Sequence, residues 1–374
     1  MAEVALGLRD IVVSTSDICD IDGTNGVLIY RGYDIHDLAQ NCTFEEVSYL
    51  LFNGKLPNKK ELAEFDAAIR KERNIPKQVL DLISTMPKTE DPMNVLRTAI
   101  SYLGAFDPEG NSKDPASRPR IARRLTAQFA TVTAAIGRWQ KGLPFVPPTT
   151  DLNHAGNFLY MLTGNKPDEV STRTMDVALI LHAEHNFNAS TFTSRVVAAT
   201  ESDMYSAVTA AIGALKGPLH GGANTGVMKM LLEIGDMDKV ESYIAAKMAK
   251  KEKIMGMGHA VYKAFDPRAT ELEKLSLQMG QRVGNTKWLD MSEKIWKMVH
   301  EQKGLWPNVD FFSASTYYTM GIDPAIFTLI FGVSRITGWC AHIIEQLSHN
   351  KLIRPSCEYT GPRGLKSVPI AQRG

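Results

Sequence analysis

Apolar positions along this chain fall mostly into helical runs, each announced by a polar start signal. Thr43 with Glu46 makes a capping-box pattern ahead of Val47, Leu50, Leu51 and Phe52, and Gly54 stops the run. Asn58 with Glu61 repeats the pattern before Leu62, Phe65, Ala68 and Ile69. Asp238 with Glu241 repeats it again before Ile244, Ala245 and Met248, with Lys247, Lys250 and Lys251 at the end where a helix favours cations. Asp323-Pro324 opens a run through Phe327, Ile330, Phe331 and Trp339 to about Ser348, apolar on nearly every face, which predicts burial in the core or at a subunit interface. Strand signals are few. Val27-Leu28-Ile29-Tyr30, between Gly26 and Gly32, predicts half of a small N-terminal hairpin. Segment 106–118 reads as the clearest exposed loop. The pattern predicts an all-α protein.

Composition narrows this picture only a little. With 374 residues and 44% hydrophobic content, the chain can bury a large core, and its length suggests two domains or one domain with a substantial insertion. A formal net charge of +1 gives no reason to expect nucleic acid or an anionic membrane as a partner. Cys19, Cys42, Cys340 and Cys357 form no CxxC pair and no metal-ligand spacing, so they read as thiols in a reducing compartment. The first ten residues lack a signal-peptide pattern, and no apolar run suggests a membrane span. The expectation is a soluble, cytoplasmic protein.

Candidate chemistry sits where polar residues interrupt these runs. Gly217-Pro218-Leu219-His220-Gly221-Gly222-Ala223-Asn224 holds a histidine among structure breakers at the entrance of a helical run, with Asn224 as its predicted N-cap. The helix dipole there disfavours imidazolium, so His220 reads as either a neutral hydrogen-bond donor or a turn-filling residue. His259, in Gly258-His259-Ala260-Val261-Tyr262, is a second histidine beside flexible glycines. Asp266 as N-cap and Pro267 at the first helical position put Arg268 in a first turn. There it is either salt-bridged or an anion binder. Asp310, between Val309 and two phenylalanines, reads as a desolvated base or a helix cap. Arg335 lies inside the long apolar run and must meet an internal carboxylate or that of a ligand. Arg354 precedes Pro355 and reads as solvated. His182 and His185 are spaced for a metal pair, but the pattern is not HExxH and no third ligand is evident, so no metal is expected.

Together these segments resemble the citrate synthase family, including its short bacterial and archaeal forms and the 2-methylcitrate synthases. The resemblance runs from Arg31-Gly32-Tyr33-Asp34 to Tyr359-Thr360-Gly361-Pro362, and it rests most on 217–224, 258–268, 308–313 and 352–355. It implies a helical homodimer whose subunits have a large domain (1–216 and 321–374) and a small domain (217–320), with the active-site cleft between them. Asp310 would abstract a methyl proton from acetyl-CoA, His220 would stabilise the enol, and His259 would polarise and protonate the ketone of oxaloacetate. His185, Arg268, Arg335 and Arg354 look like the oxaloacetate-binding set, with Arg354 supplied by the partner subunit. Lys253, Ile254, Met255, Gly256 and Met257 match a CoA-binding segment. No cofactor is implied, because the coenzyme A thioester is itself a substrate.

Two positions depart from the common citrate synthase pattern. Ala260 follows His259 where many members carry Arg, and Ser356 follows Arg354-Pro355; both are reminiscent of methylcitrate synthases. One extra methylene in a pocket is worth only about 1–3 kcal/mol, so use of both thioesters is compatible with either pattern. The sequence reads as citrate formation from acetyl-CoA, with 2-methylcitrate formation from propionyl-CoA, or dual specificity, as the alternative.

Overall fold

The computed structural model describes residues 5–8 and 11–373, so part of the N-terminal stretch without a signal-peptide pattern lies outside the described residues. A small antiparallel sheet comes first. Strands β1 (Cys19–Asp22), β2 (Val27–Tyr30) and β3 (Tyr33–Asp34) pair in that order, with Cys19 opposite Tyr30 and Ile29 opposite Asp34. The predicted strand is half of the β1–β2 hairpin, and the third strand, β3, pairs along its other edge.

The rest is helical, as the pattern predicts. The first half contains α1 (Ile35–Asn41), α2 (Phe44–Asn53), α3 (Lys59–Lys71), α4 (Lys77–Thr85), α5 (Pro92–Leu103), α6 (Arg118–Gln140), α7 (His154–Thr163) and α8 (Glu169–His182). The second contains α9 (Ala189–Ala198), α10 (Met204–Leu215), α11 (Ala223–Ile234), α12 (Val240–Ala249), α13 (Pro267–Val283), α14 (Lys287–Lys303), α15 (Val309–Thr319) and α16 (Phe327–Ser348). Helix α16 is the centre of the packing, touching α2, α6, α8, α9 and α10, with Trp339 wholly buried. Helices α11 to α15 pack chiefly on one another, α13 and α11 against α15 and α12 against α14.

Helix starts that depend on their own turn alone form as their spacing predicts. Both reciprocal bonds of the capping box are present at Thr43/Glu46 and at Asn58/Glu61, and Gly54 ends α2 in the left-handed conformation. Two predicted caps do not form. A single 3₁₀ turn, Met237–Lys239, takes up Asp238, so α12 starts at Val240 without a side-chain cap, and Glu241 pairs with Lys294 instead. Helix α11 starts one residue before Asn224, which becomes a buried first-turn residue behind Gly222.

Segment 106–118 is mostly exposed, yet it is pinned. Arg124 reaches Asp107 at 2.5 Å and Glu109 at 2.9 Å, and Arg120 reaches Glu109 at 2.6 Å. Contrary to expectation, Pro324–Ser348 has the length and apolarity of a membrane span; all of its apolar window is buried inside the fold, where a core helix belongs. The four cysteines are free thiols, with Cys357 alone exposed.

Candidate active site

Three loops and two helix starts bring the singled-out polar residues together. His185 sits between α8 and α9, His220 between α10 and α11, and His259 between α12 and α13. Arg268 and Asp310 occupy the first turns of α13 and α15, and Arg335 lies within α16. The rings of His185 and His259 are 5.2 Å apart, with Tyr262 completing the group at 4.8 Å from His259 and 5.6 Å from His185. The ring of Phe331 lies 6.5 Å from that of His220 and 4.8 Å from the Arg335 guanidinium.

Backbone groups fix the proton positions on two histidines. His220 Nε2 lies 2.8 Å from Ser190 Oγ and accepts from the Ser190 N–H at 3.3 Å, so the ring hydrogen resides on Nδ1. Trp339 Nε1 donates to the same serine oxygen at 3.0 Å and holds it in place. At His259 the pattern is reversed. Nδ1 accepts from the N–H groups of Val261 and Tyr262 at 3.0 and 3.2 Å, which puts the hydrogen on Nε2. Burial pushes both histidines down to about 4, helped at His220 by the charge of Arg335 and at His259 by that of Arg268. Both are neutral donors at neutral pH. His185 lies further below its ordinary range, through burial first and then the charge of Arg268.

Asp310 is shifted by the same cause with opposite sign. It is buried, and its Oδ1 has no hydrogen-bond partner. Burial raises it to about 7, against the pull of Arg268. Asp310 is not the helix cap, because Asn308 takes that position and accepts from the Asp310 N–H at 3.1 Å; the carboxyl is a desolvated first-turn group instead. Asn308 also donates to the Gly258 carbonyl at 2.9 Å, tying the base-bearing helix to the His259 loop.

The arginines differ from one another. Arg268 forms a two-point pair with Asp266, at 3.0 and 2.8 Å, and both are buried. Asp266 also accepts from the Val309 N–H at 3.1 Å, so one carboxylate links Arg268 to the start of α15. Arg335 donates its Nε to the His182 carbonyl at 2.7 Å, but its buried Nη2 has no partner. Arg335 meets no carboxylate within ion-pair distance among the described residues. Arg354 is not brought into the group: it stands exposed on the irregular chain after α16.

Segment 253–257 runs beside this cluster. Gly256 adopts φ +75°, and a Cβ there would lie 2.6 Å from Val227 Cγ2 and 2.8 Å from Phe311 Cδ2. Ile254 and Met257 are buried and Lys253 is exposed, so only part of the segment faces solvent. His182 Nδ1 lies 2.8 Å from the Ala178 carbonyl, and no group of three His, Cys, Asp or Glu side chains suits a metal ion among the described residues.

Sequence reasoning passed over Ser190, Asn308 and Tyr262 as functional residues and saw Asp266 only as a cap. The N-cap spacing of Asn308 to Asp310 was the one signal available for any of the first three.

The sequence profile described as "Citrate synthase, C-terminal domain" matches residues 7–356. The chain belongs to the citrate synthase family. Citrate synthase from Deinococcus radiodurans is 48% identical over the full length of both chains, and citrate synthase 2 of Bacillus subtilis is 50% identical over 98% of each. The 2-methylcitrate synthase of Mycobacterium tuberculosis is 44% identical over 96% of this chain and 91% of its own. Among solved structures, citrate synthase of Pyrobaculum aerophilum aligns with TM-score 0.92 at 41% identity, covering 98% of this chain and 95% of that one. A citrate synthase from a Thermoplasma acidophilum ternary complex aligns with TM-score 0.93 at 32% identity over all of both chains. The fold is thus the all-α citrate synthase fold, and the chain is an acyltransferase of the citrate synthase type.

Proposed function

We propose that this enzyme condenses acetyl-CoA with oxaloacetate to give citrate and coenzyme A, with each residue of the cluster in a defined role. Asp310 takes a proton from the methyl carbon next to the thioester. His220 Nδ1–H bonds the thioester oxygen as charge develops on it, and a neutral donor suits an enol better than an imidazolium that would simply acidify. The enol carbon attacks the ketone carbon of oxaloacetate while His259 Nε2–H polarises and protonates the ketone oxygen. Water then cleaves the citryl thioester, releasing citrate and the thiol. His185, Arg268 and Arg335 hold the dicarboxylate, and segment 253–257 receives the coenzyme A portion. No metal or cofactor is required by these steps.

The observation that carries this reading is the state of Asp310: a buried carboxylate with a free oxygen, sharing its arginine neighbours with two histidines of fixed tautomer. Residues 217–320 form the small domain in this reading, and 1–216 with 321–374 the large one. Support comes from the mutual packing of α11 to α15 and from a cluster drawn from both parts. Closure between them would exclude water from the enol. The enzyme works as a cytoplasmic homodimer in which the exposed Arg354 completes the partner's site.

The second reading, 2-methylcitrate formation from propionyl-CoA, rests on Ala260 and Ser356, while the 44% identity to the tuberculosis enzyme is below the 48% and 50% to the two citrate synthases. Thiol release with acetyl-CoA and with propionyl-CoA, each with saturating oxaloacetate, separates the two. A higher kcat/KM for acetyl-CoA is expected, and a strong propionyl-CoA preference would reverse the assignment.

A further inference from the structure

Behind the oxaloacetate-directed side chains lies a carboxylate that the reaction above does not use. Glu184 immediately precedes His185 and is fully buried. Its Oε1 lies 3.0 Å from Nε2 of His342, which is also fully buried. The direction of that bond is forced. Arg195 Nη1 can only donate and lies 2.9 Å from His342 Nδ1, so Nε2 carries the ring hydrogen and donates to Glu184. Arg195 is held in turn by Glu345 Oε2 at 2.5 Å and Gln346 Oε1 at 3.1 Å. The other carboxylate oxygen, Oε2, is buried and has no hydrogen-bond partner.

Gly338 sets where that oxygen lies. A Cβ at this position would stand 2.1 Å from Glu184 Oε2 and 2.4 Å from the Ala183 carbonyl. Glycine inside a helix is disfavoured relative to alanine, so this notch is kept against helix propensity. Gly338 follows Arg335 by three residues and precedes His342 by four, which puts all three on one face of α16. The carboxylate therefore sits between a histidine that clamps one oxygen and an arginine one turn the other way. Arg335 has the matching deficit, a buried Nη2 without a partner. The two groups do not form an ion pair, so Glu184 leaves the arginine's donors free for a ligand.

We propose that Glu184 is a positioning residue for Arg335: clamped by His342 and seated over Gly338, it is the fixed counter-charge that keeps the guanidinium oriented for the carboxylate of oxaloacetate. This rests on the reading of Arg335 as an oxaloacetate ligand. Without the counter-charge, the arginine is a buried cation free to turn toward Asp310, the base it must leave available.

The test is oxaloacetate binding by calorimetry without acyl-CoA, together with KM and kcat, for Glu184→Gln, Glu184→Asp, Arg335→Ala and the Glu184→Gln/Arg335→Ala pair. The amide of Glu184→Gln can still accept from His342 and removes only the charge. Expected are a rise of about tenfold in Kd and KM for oxaloacetate and less than a twofold change in kcat, the scale of one charge-assisted contact. The double variant should bind no more weakly than Arg335→Ala alone. If Glu184→Gln does not fold, Glu184→Asp, which keeps every charge and draws the carboxylate back from Gly338 and His342, must give the same pattern. An unchanged oxaloacetate Kd, or additive losses in the double variant, overturns the inference. An unchanged Kd in Arg335→Ala instead overturns the site reading beneath it.

Discussion

Replacing Asp310 by asparagine should abolish activity and remove a stability cost that grows with pH. The carboxyl is raised from its ordinary 3.8 to about 7 by burial. Between those values the folded protein holds a proton that the unfolded chain has released, so stability falls as pH rises through that window. Linkage gives a cost of about 2 kcal/mol at pH 5 and about 4 kcal/mol at pH 8.5. The asparagine side chain of the variant carries no such charge, and whatever its buried amide costs is the same at both pH values. The parent and variant share every other titrating group, so the difference between them isolates this carboxylate. With an unfolding entropy of about 2.1 cal/mol/K per residue, a change of between about 2 and 3 kcal/mol amounts to about 3 °C in Tm. Scanning calorimetry of both proteins at pH 5 and pH 8.5 measures it. The Tm difference (variant minus parent) should be about 3 °C larger at pH 8.5. A difference independent of pH, or one larger at pH 5, would refute the claim that Asp310 is buried at a charge penalty.

The same carboxyl governs rate: kcat/KM should rise with pH through about 7 and then level, since His220 and His259 are already neutral above about 4. A profile falling across pH 6–8 would contradict these roles. Those histidines act on stability in the opposite sense to Asp310. Their folded values lie below the ordinary 6.5, so stability is lost as pH falls from 6.5 toward 4. Ser190→Ala removes the hydroxyl that holds His220 Nε2 and should lower kcat about tenfold with little change in oxaloacetate KM. An unchanged kcat would remove the serine from the account. Arg354→Ala mixed with an Asp310→Asn subunit should recover activity in the mixed dimer, one of whose sites draws both residues from intact copies. No recovery in verified mixed dimers would count against a shared site.

Much of the fold was legible because helix starts are local events. Thr43/Glu46 and Asn58/Glu61 need only their own turn to form, and they do. Asp238/Glu241 carries the same pattern, but a 3₁₀ turn absorbs the aspartate and Lys294 of α14 claims the glutamate. That competition is tertiary and leaves no mark on spacing. In the site, residue types told the chemistry while their partners stayed hidden. Arg268 is salt-bridged, which the first-turn position allowed, but Asp266 serves the arginine and the Val309 N–H together, a link across the chain from α13 to α15. Ser190 reads as an ordinary first-turn residue until His220 folds against it. Arg335 was legible as a misfit in an apolar helix, but the Glu184–Gly338–His342 arrangement around it depends on packing between segments.

The most direct test of the central claim is oxaloacetate-dependent thiol release from acetyl-CoA by the parent enzyme and by Asp310→Asn, at pH 8 and saturating substrates. Release should require oxaloacetate, and the rate should be at least about 10²-fold lower in the folded variant, the scale for losing a positioned base. Thiol release without oxaloacetate, or a variant within tenfold of the parent, would contradict that claim.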